Sequence, residues 1–301
     1  MPVQTYKHRE LVIPSMLTPQ LAQIYGYFIG DGNFDLRGLR FRDQRESVLH
    51  YYNNLFKNQF NIDGKVSKVK GKNCYNLNIN SGAISKFSKL VIPNILEHVA
   101  KSKDEVVAGF IKGFIDAEGH VNKKRPIITV VQKEKQILKY VQLFLLRFGI
   151  RSTIKFDIGR KKISVLRIIG KDTLDYLRIG FTARDKQDWL LNYKNYYAGT
   201  YSKETMPIKR EELWNLLKES GLHPSKFIKP RPNEYKWVSR SELENSLNVL
   251  MHQNIVDRQV KQKIEFIFKI LSGDVRFEKI REIKVSGNKD MELFYDFSVP
   301  S

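Results

Sequence analysis

An internal repeat constrains the fold of this chain more than any other feature of its sequence. Two apolar segments that contain glycines, LAQIYGYFIGDGNF at residues 21–34 and VVAGFIKGFIDAEGHV at 106–121, match each other in residue type. Aligned on Asp31 and Glu118 they lie 87 residues apart, and the glutamines that follow them, Gln44 and Gln132, lie 88 apart. Each copy continues with strand-like, helical and further strand-like runs before a closing helix. The sequence therefore predicts two copies of one α-β-β-α-β-β-α unit.

Small residues recur at every fourth position of both repeated segments, on one face of each predicted helix. They are Ala22, Gly26 and Gly30 in the first copy and Gly109, Gly113 and Ala117 in the second. A glycine inside a helix costs about 1 kcal/mol relative to alanine, so two in each helix need a structural reason. We expect the helices to pack against each other through these faces, because small residues let backbones approach closely. The alternative is that each helix packs separately on its own sheet.

This packing would bring Asp31 and Glu118 together at the C-terminal ends of the two helices. Two carboxylates repel each other there, and the negative end of each helix dipole adds to the cost. A divalent cation would remove both penalties, and Mg²⁺ prefers hard oxygen ligands of this kind. Gly32 and Gly119, which follow the acids, suit helices that turn directly into strands. An isolated Asp-Gly or Glu-Gly pair is otherwise typical of a simple turn.

The strand-like runs alternate apolar residues with arginine, lysine and asparagine. Leu39 and Phe41 are expected to face the helices and Arg40 the opposite side. In the second copy, the apolar face is expected to include Ile154, Phe156 and Ile158. The polar faces and hairpin tips could be ordinary solvated surfaces, but acidic residues are scarce in them, and Arg, Lys and Asn can bind base edges and phosphates. The DNA-binding candidates are Arg37, Arg40, Arg42, Lys68, Lys70, Lys72, Asn76, Asn78, Lys123, Arg125, Lys155, Arg160, Lys161 and Arg167.

Composition points to a basic globular protein with a polyanionic partner. The 52 basic and 32 acidic residues give a net charge of +20, and 42% of the 301 residues are apolar. Nucleic acid is the default partner for such a charge, although a ribosome or a membrane surface would also attract it. No apolar run reaches a membrane span, no secretory signal is visible, and the single Cys74 excludes an intrachain disulfide. We expect a cytoplasmic, nucleoid-associated protein of a prokaryote, or an organellar one.

The repeated segments resemble a known motif. IYGYFIGDG at residues 24–32 and IKGFIDAEG at 111–119 resemble the two copies of the LAGLIDADG motif in single-chain homing endonucleases, and the resemblance covers about residues 14–195. It implies an α+β, pseudo-twofold duplicated αββαββα fold with two four-stranded antiparallel saddle sheets. It also implies a monomer without an obligatory protein partner. Such an enzyme cuts a long double-stranded DNA site across the minor groove and leaves short 3′ overhangs.

The same resemblance implies the roles of the site residues. Asp31 and Glu118 would bind the catalytic Mg²⁺, for which Mn²⁺ may substitute in this family, and the carbonyls of Gly30 and Ala117 would also contact metal. Gln44 and Gln132 match the glutamines that order water near the scissile phosphate. A lysine in each half would complete the site. The candidates are Lys89 and Lys186, with Arg184 as a rival for the second.

The expected domains are residues 1–105 (motif helix about 20–31), 106–200 (motif helix about 106–118) and a small α+β extension at 201–301. After a linker at 196–207, the extension is expected to hold a helix at 209–221, a Pro-rich connector at 227–235, and a second helix that runs from a Ser239–Glu242 capping box to about residue 254. A third helix should contain Val260 and Ile264. Two strands, at 276–285 and 291–300, are expected to close the chain.

The last residues, LFYDFSVPS at 293–301, resemble the penultimate conserved block of inteins, which suggests an endonuclease of intein ancestry. Splicing is not expected, because the chain starts with Met1 and ends at Ser301 without the His-Asn pair that splicing uses.

Two alternatives to the endonuclease remain open. An RNA maturase that assists intron splicing and a catalytically silent DNA-binding regulator can both use this scaffold. The two metal-binding acids of an active enzyme are present, although one is Glu and the other Asp, which leaves room for uneven cutting of the two strands.

Overall fold

The computed structural model describes residues 11–160, 162–194, 205–228, 237–252 and 257–272. The chain divides into two compact units, Met1–Tyr201 and Ser202–Ser301. Within the described residues no helix is both long enough and apolar enough to cross a membrane.

The first half of the first unit contains one four-stranded antiparallel sheet in the order β1-β2-β4-β3. Its strands are β1 (Gly32–Asp35), β2 (Gly38–Asp43), β3 (Lys65–Lys68) and β4 (Tyr75–Ile79). Its helices are α1 (Pro19–Asp31), α2 (Glu46–Phe60), α3 (Gly82–Val91) and α4 (Ile95–Ala100).

The second half repeats this arrangement, with the sheet order β5-β6-β8-β7. Its strands are β5 (Gly119–Val121), β6 (Ile127–Gln132), β7 (Thr153–Ile158) and β8 (Ile163–Ile169). Its helices are α5 (Asp104–Glu118), α6 (Lys135–Arg147), α7 (Lys171–Asp175) and α8 (Arg184–Lys194). The predicted α+β fold with two duplicated four-stranded sheets is confirmed.

The alternation along the strands confirms one apolar and one polar face for the first sheet. Leu39 and Phe41 are buried, and the ring of Phe41 lies 5.4 Å from that of Phe56 on α2. Arg42, which follows Phe41 on β2, is exposed. Helices therefore cover one side of the sheet and leave its arginines on the other.

The same expectation is wrong for the end of β7. Phe156 and Ile158 are 42% and 39% exposed, whereas Ile154 is partly buried. The pairing of β7 with β8 shifts register between Lys155 and Ile158, and Asp157 adopts a φ of 54°. This irregularity at an edge strand breaks the alternation, so the apolar side chains beyond it leave the core.

Helices α1 and α5 form the most extensive contact between elements of the described chain. An ideal Cβ on Gly26 would lie 2.2 Å from the carbonyl oxygen of Phe110, and one on Gly113 would lie 2.0 Å from that of Gln23. At the C-terminal end, a Cβ on Gly30 would lie 2.5 Å from the Cβ of Ala117. The predicted helix pairing through small residues is confirmed, and separate packing of each helix is excluded.

Both helices run directly into strands, as expected from Gly32 and Gly119. The two glycines have extended backbones, with φ of −87° and −81°, so neither uses the left-handed conformation of a common helix cap. Their small size is needed instead, because a Cβ would lie 2.3 Å from Phe28 Cδ2 at the first position and 2.3 Å from the Ile115 carbonyl at the second.

The second unit has a two-stranded antiparallel sheet with helices packed around a separate apolar core. Its elements are β9 (Thr205–Lys209), α9 (Arg210–Glu219), β10 (Trp237–Ser239), α10 (Arg240–Leu250) and α11 (Arg258–Ser272). The capping box is confirmed, because the amide of Glu242 donates to Ser239 Oγ and that of Ser239 donates to Glu242 Oε2.

Several boundaries in this unit differ from expectation. The strand β9 begins inside the region expected to be a linker, because it pairs with β10, and α10 ends at Leu250, before the predicted residue 254. Residue 254, most of the Pro-rich connector, both closing strands and the intein-like end lie outside the described residues. So does Lys161.

A single methyl group at Gly113 should disrupt the contact between α1 and α5. We expect Gly113→Ala to lower the free energy of unfolding by about 1–3 kcal/mol, because overpacking forces backbone shifts. Gly82→Ala is the matched control, since its Cβ would meet nothing within 4 Å on helix α3. Urea unfolding measures both. Equal stabilities for the two variants would contradict close packing at Gly113.

Candidate active site

Asp31 and Glu118 are the last residues of α1 and α5, and the close helix contact brings them together. The Cγ of Glu118 lies 3.0 Å from the position that a Cβ on Gly30 would take. Burial and the nearby charge of Asp31 raise the pKa of Glu118 to about 7. Burial and the charge of Asp43 raise the pKa of Asp31 to about 6. The two acids therefore form a site of concentrated negative charge.

The donor atoms at this site fit a hard divalent cation. The carbonyls of Gly30 and Ala117 lie in the last turns of the two helices, beyond the reach of the last intrahelical N–H donors and at the negative ends of the helix dipoles. Across the described part of the chain, no group of three or more His, Cys, Asp or Glu side chains could hold a metal. Two carboxylates with nearby carbonyls suit Mg²⁺, which keeps several waters and uses phosphate oxygens as further ligands.

The two predicted glutamines differ in their surroundings. Gln132, at the end of β6, donates from Nε2 to Glu118 Oε1 at 3.2 Å, and its own Oε1 accepts the Lys133 amide at 2.7 Å. Gln44 is exposed between β2 and α2, and the described residues provide no hydrogen bond for its side chain. Only Gln132 contacts one of the two acids.

The structure places Lys186 beside the acids and Arg184 away from them. Lys186 is 5% exposed, and its Nζ donates to the carbonyl oxygen of Asp116 at 2.7 Å. The positive charge of Lys186 opposes the rise in the pKa of Asp31 and of Glu118, and burial lowers the pKa of Lys186 itself. The Arg184 side chain is 96% exposed and lies 4.0 Å from Asp188.

Lys89 lies against an aromatic ring of the first sheet. It is exposed in the last turn of α3, and its Nζ lies 5.3 Å from the centre of the Phe34 ring. The described residues provide no contact between it and Asp31 or Glu118. Of the two predicted lysines, Lys186 is the one whose charge acts on both acids.

Sequence reasoning missed two acids that surround the site. The side chain of Asp43 is almost fully buried and accepts from Tyr27 OH at 2.7 Å. Asp116 is 2% exposed and accepts from Tyr52 OH at 3.1 Å and from the Thr182 amide at 2.8 Å. Burial raises the pKa of Asp116, although Thr182, Lys186 and Tyr52 oppose the rise. Asp116 could have been noticed in the sequence, because it is a charged residue inside the otherwise apolar second motif.

Arginine–asparagine pairs line the polar face of the first sheet. Arg40 Nε donates to Asn78 Oδ1 at 3.0 Å, and Arg42 Nε donates to Asn76 Oδ1 at 3.0 Å, in each case across β2 and β4. Arg40 also forms an ion pair with Asp35. These contacts hold both guanidinium groups in fixed orientations on the sheet surface.

The remaining DNA-binding candidates are exposed on the second sheet and on the loops. Lys155 and Arg167 lie on β7 and β8, and the Lys123 Nζ lies 4.7 Å from the centre of the Trp189 ring. Lys68 is exposed at the end of β3, and the exposed candidates on turns and hairpin tips are Arg37, Lys70, Lys72, Arg125 and Arg160.

Parts of several known proteins are similar in sequence to this chain. The chain is 31% identical to a glutamine–fructose-6-phosphate aminotransferase of Methanocaldococcus jannaschii, over 95% of this chain and 26% of that protein. It is 28% identical to an A-type ATP synthase subunit of Pyrococcus abyssi, over 85% of this chain and 26% of that protein. The chain thus spans about a quarter of the length of these two relatives.

A third relative is shorter. The chain is 28% identical to the homing endonuclease I-DmoI of Desulfurococcus mucosus, over 52% of this chain and 84% of that protein. A solved structure of I-DmoI in complex with DNA and Ca is 26% identical, with a TM-score of 0.44, and covers 53% of this chain and 87% of that one.

A family model described as a LAGLIDADG-like domain matches residues 18–90 and again residues 105–178. These two ranges contain the paired helices α1 and α5, both sheets and both acids. The chain therefore carries two LAGLIDADG-like domains in a single polypeptide.

Proposed function

We propose that this protein is a site-specific endonuclease that hydrolyses double-stranded DNA with a divalent metal. The observation that carries the proposal is the pair Asp31 and Glu118, held together where α1 meets α5 in a unit whose two sheets expose arginines and lysines. The similarity to the homing endonuclease I-DmoI, over 84% of that protein, supports the same activity.

The metal would be held by Asp31, Glu118 and the carbonyls of Gly30 and Ala117. Mg²⁺ is the proposed ion, with Mn²⁺ as a substitute, because the available donors are all oxygen atoms. When bound, such an ion lowers the pKa of an attacking water and stabilises charge on the leaving 3′ oxygen.

The chain's own residues would orient the reacting groups. Gln132 donates to the Glu118 carboxylate and would order a water beside it, and Gln44 would serve the other strand. The Lys186 ammonium, already fixed by the Asp116 carbonyl, would stabilise negative charge on the phosphate. Lys89 stays a prediction for the first half. Cuts across the minor groove with short 3′ overhangs are proposed from the family resemblance.

DNA binding is assigned to the first unit because the positive charge is concentrated there. Residues 1–201 contain 34 basic and 17 acidic residues, a net charge of +17, whereas residues 202–301 contain 18 and 15, a net charge of +3. The arginine–asparagine pairs on β2 and β4 present donors that suit guanine edges and phosphates. Both halves lie in one chain, so a monomer is proposed to be sufficient.

The similarity to two unrelated enzymes also favours an origin as an inserted genetic element. An aminotransferase and part of an ATP synthase have different activities, yet each matches most of this chain with only 26% of its length. A segment shared by two such proteins is not expected to be the catalytic domain of either. We therefore propose that the chain derives from an inserted element such as an intein.

One cleavage experiment separates the three candidate functions. The substrate is a duplex made by joining the DNA sequences that flank the coding region, incubated with Mg²⁺ or with EDTA. Metal-dependent double-strand cleavage is expected. Binding that is sensitive to salt but never followed by cleavage would favour a regulator. Preferential binding of intron RNA would favour a maturase.

Removal of either acid should abolish cleavage and leave DNA binding intact. We expect Asp31→Asn and Glu118→Gln each to lower the single-turnover cleavage rate by about 100-fold or more, equivalent to about 2.7 kcal/mol in the barrier. Affinity for the target in Ca²⁺ should not fall, because each change removes a negative charge near DNA. Glu105→Gln, at the opposite end of α5, is the matched control. Full cleavage by either acid variant would remove these residues from the mechanism.

The raised pKa of Glu118 predicts that this group contributes less to the stability of the metal-free protein at high pH than at low pH. Between about pH 4 and pH 7 the folded protein binds protons at Glu118 more tightly than the unfolded chain does, since its pKa rises from 4.5 to about 7. Stability from this group therefore falls as the pH rises through that window. In EDTA at pH 8, Glu118→Gln should unfold at a higher temperature than the native protein, and the difference should shrink at pH 5.

Calorimetry at both pH values checks this expectation, with Glu105→Gln again as the control because its carboxylate favours the helix N-terminus. The expected gain in stability of Glu118→Gln over the native protein is larger at pH 8 than at pH 5. A smaller gain at pH 8, or a loss there, would contradict the raised pKa of Glu118.

A further inference from the structure

An ion pair joins the two halves of the first unit next to the proposed active site. Arg45 Nε donates to Asp185 Oδ1 at 2.8 Å, and Arg45 Nη2 donates to Asp185 Oδ2 at 3.0 Å. The two residues are 140 positions apart in the chain. A bidentate contact of this kind fixes orientation as well as distance.

Each partner is adjacent in sequence to a residue of the proposed site. Arg45 follows Gln44 and precedes the first residue of α2, and its amide donates to Asp43 Oδ1 at 2.7 Å. Asp185 lies in the first turn of α8 and is followed by Lys186. The contact therefore connects the segment that carries Gln44 to the helical turn that carries Lys186.

Carboxylates engage three of the five N–H donors of Arg45. Nε and Nη2 bind Asp185, and Nη1 lies 3.4 Å from Asp43 Oδ1. These contacts fix the plane of the guanidinium group between the two carboxylates. Burial raises the pKa of Asp185, but the hydrogen bonds and charge of Arg45, together with the amide and charge of Lys186, hold this pKa below its ordinary value.

The pair is not needed to hold the fold together. The side chains of Arg45 and Asp185 are 32% and 41% exposed, and ion pairs of that exposure contribute little to stability. The α1–α5 contact and the apolar core already join the two halves. A role in placing nearby groups accounts better for a bidentate contact at this position.

We propose that Arg45 and Asp185 are positioning residues that hold Lys186 and Gln44 in register with the Asp31–Glu118 pair across the two halves. This inference rests on the proposed endonuclease function. Neither residue touches the reacting phosphate; loss of the pair lets the first turn of α8 shift, and the Lys186 ammonium moves with it. The chemical step is slowed, while DNA binding is unchanged.

Single-turnover cleavage of the target duplex at saturating protein and Mg²⁺ tests the proposal. Asp185→Asn and Arg45→Gln are each expected to lower the rate by about 10–100-fold, as losses of supporting contacts around metal sites do. The double variant should be no slower than the worse single variant, because Asp185→Asn removes only a contact that Arg45→Gln already removes. Target affinity in Ca²⁺ and the thermal midpoint should match those of the native protein.

Asp188→Asn is the matched control, since it removes an exposed ion pair with Arg184 on the same helix. It should cleave at the native rate. The swapped variant Arg45→Asp with Asp185→Arg restores an ion pair and is expected to recover part of the rate lost in either single variant.

Three results would overturn the proposal: native rates for Asp185→Asn, additive losses in the double variant, or a loss of DNA affinity in place of a loss of rate. The last would assign Arg45 to DNA binding. Native protein that does not cleave its target at all would instead refute the proposed endonuclease function, so the two failures are distinguishable.

Discussion

The contact between the backbones of α1 and α5 determines the geometry of the whole first unit. Gly26 and Gly113 lie against carbonyl oxygens of the opposite helix, at distances that leave no room for a methyl group. Each helix runs without a loop into the first strand of its own sheet. The helix pair therefore sets the relation between the two sheets, as well as the separation of the acids at the helix ends.

The same contact brings two carboxylates close enough to repel each other, and a bound cation would offset that repulsion. Asp31 and Glu118 share a partly desolvated site at the negative ends of two helix dipoles, and their pKa values are raised to about 6 and about 7. Lys186 offsets part of this charge but also satisfies the last turn of α5 through the Asp116 carbonyl. A site of this kind gains most when a cation and a phosphate arrive together, which matches a metal-dependent phosphodiesterase.

Much of the fold and the centre of the site could be predicted from the sequence, because both follow from local patterns repeated twice. The glycine spacing indicated the helix pair, and the alternation along β2 indicated its buried and polar faces. Asp43, Asp116 and the Arg45–Asp185 pair were missed because their surroundings depend on contacts between distant segments. Lys186 and Lys89 could not be distinguished from the sequence for the same reason, because contacts with distant segments determine their different surroundings. The exposed end of β7 follows from a register shift that the alternation does not encode.

The central claim is that the paired helix ends hold Asp31 and Glu118 around a catalytic cation at the DNA. Anomalous diffraction at the manganese edge, from crystals of the protein bound to its target duplex with Mn²⁺, tests it most directly. The account predicts an anomalous peak within coordination distance of both carboxylates and of a phosphate oxygen. A peak bound to other residues, or carboxylates too far apart to share a site, would contradict it.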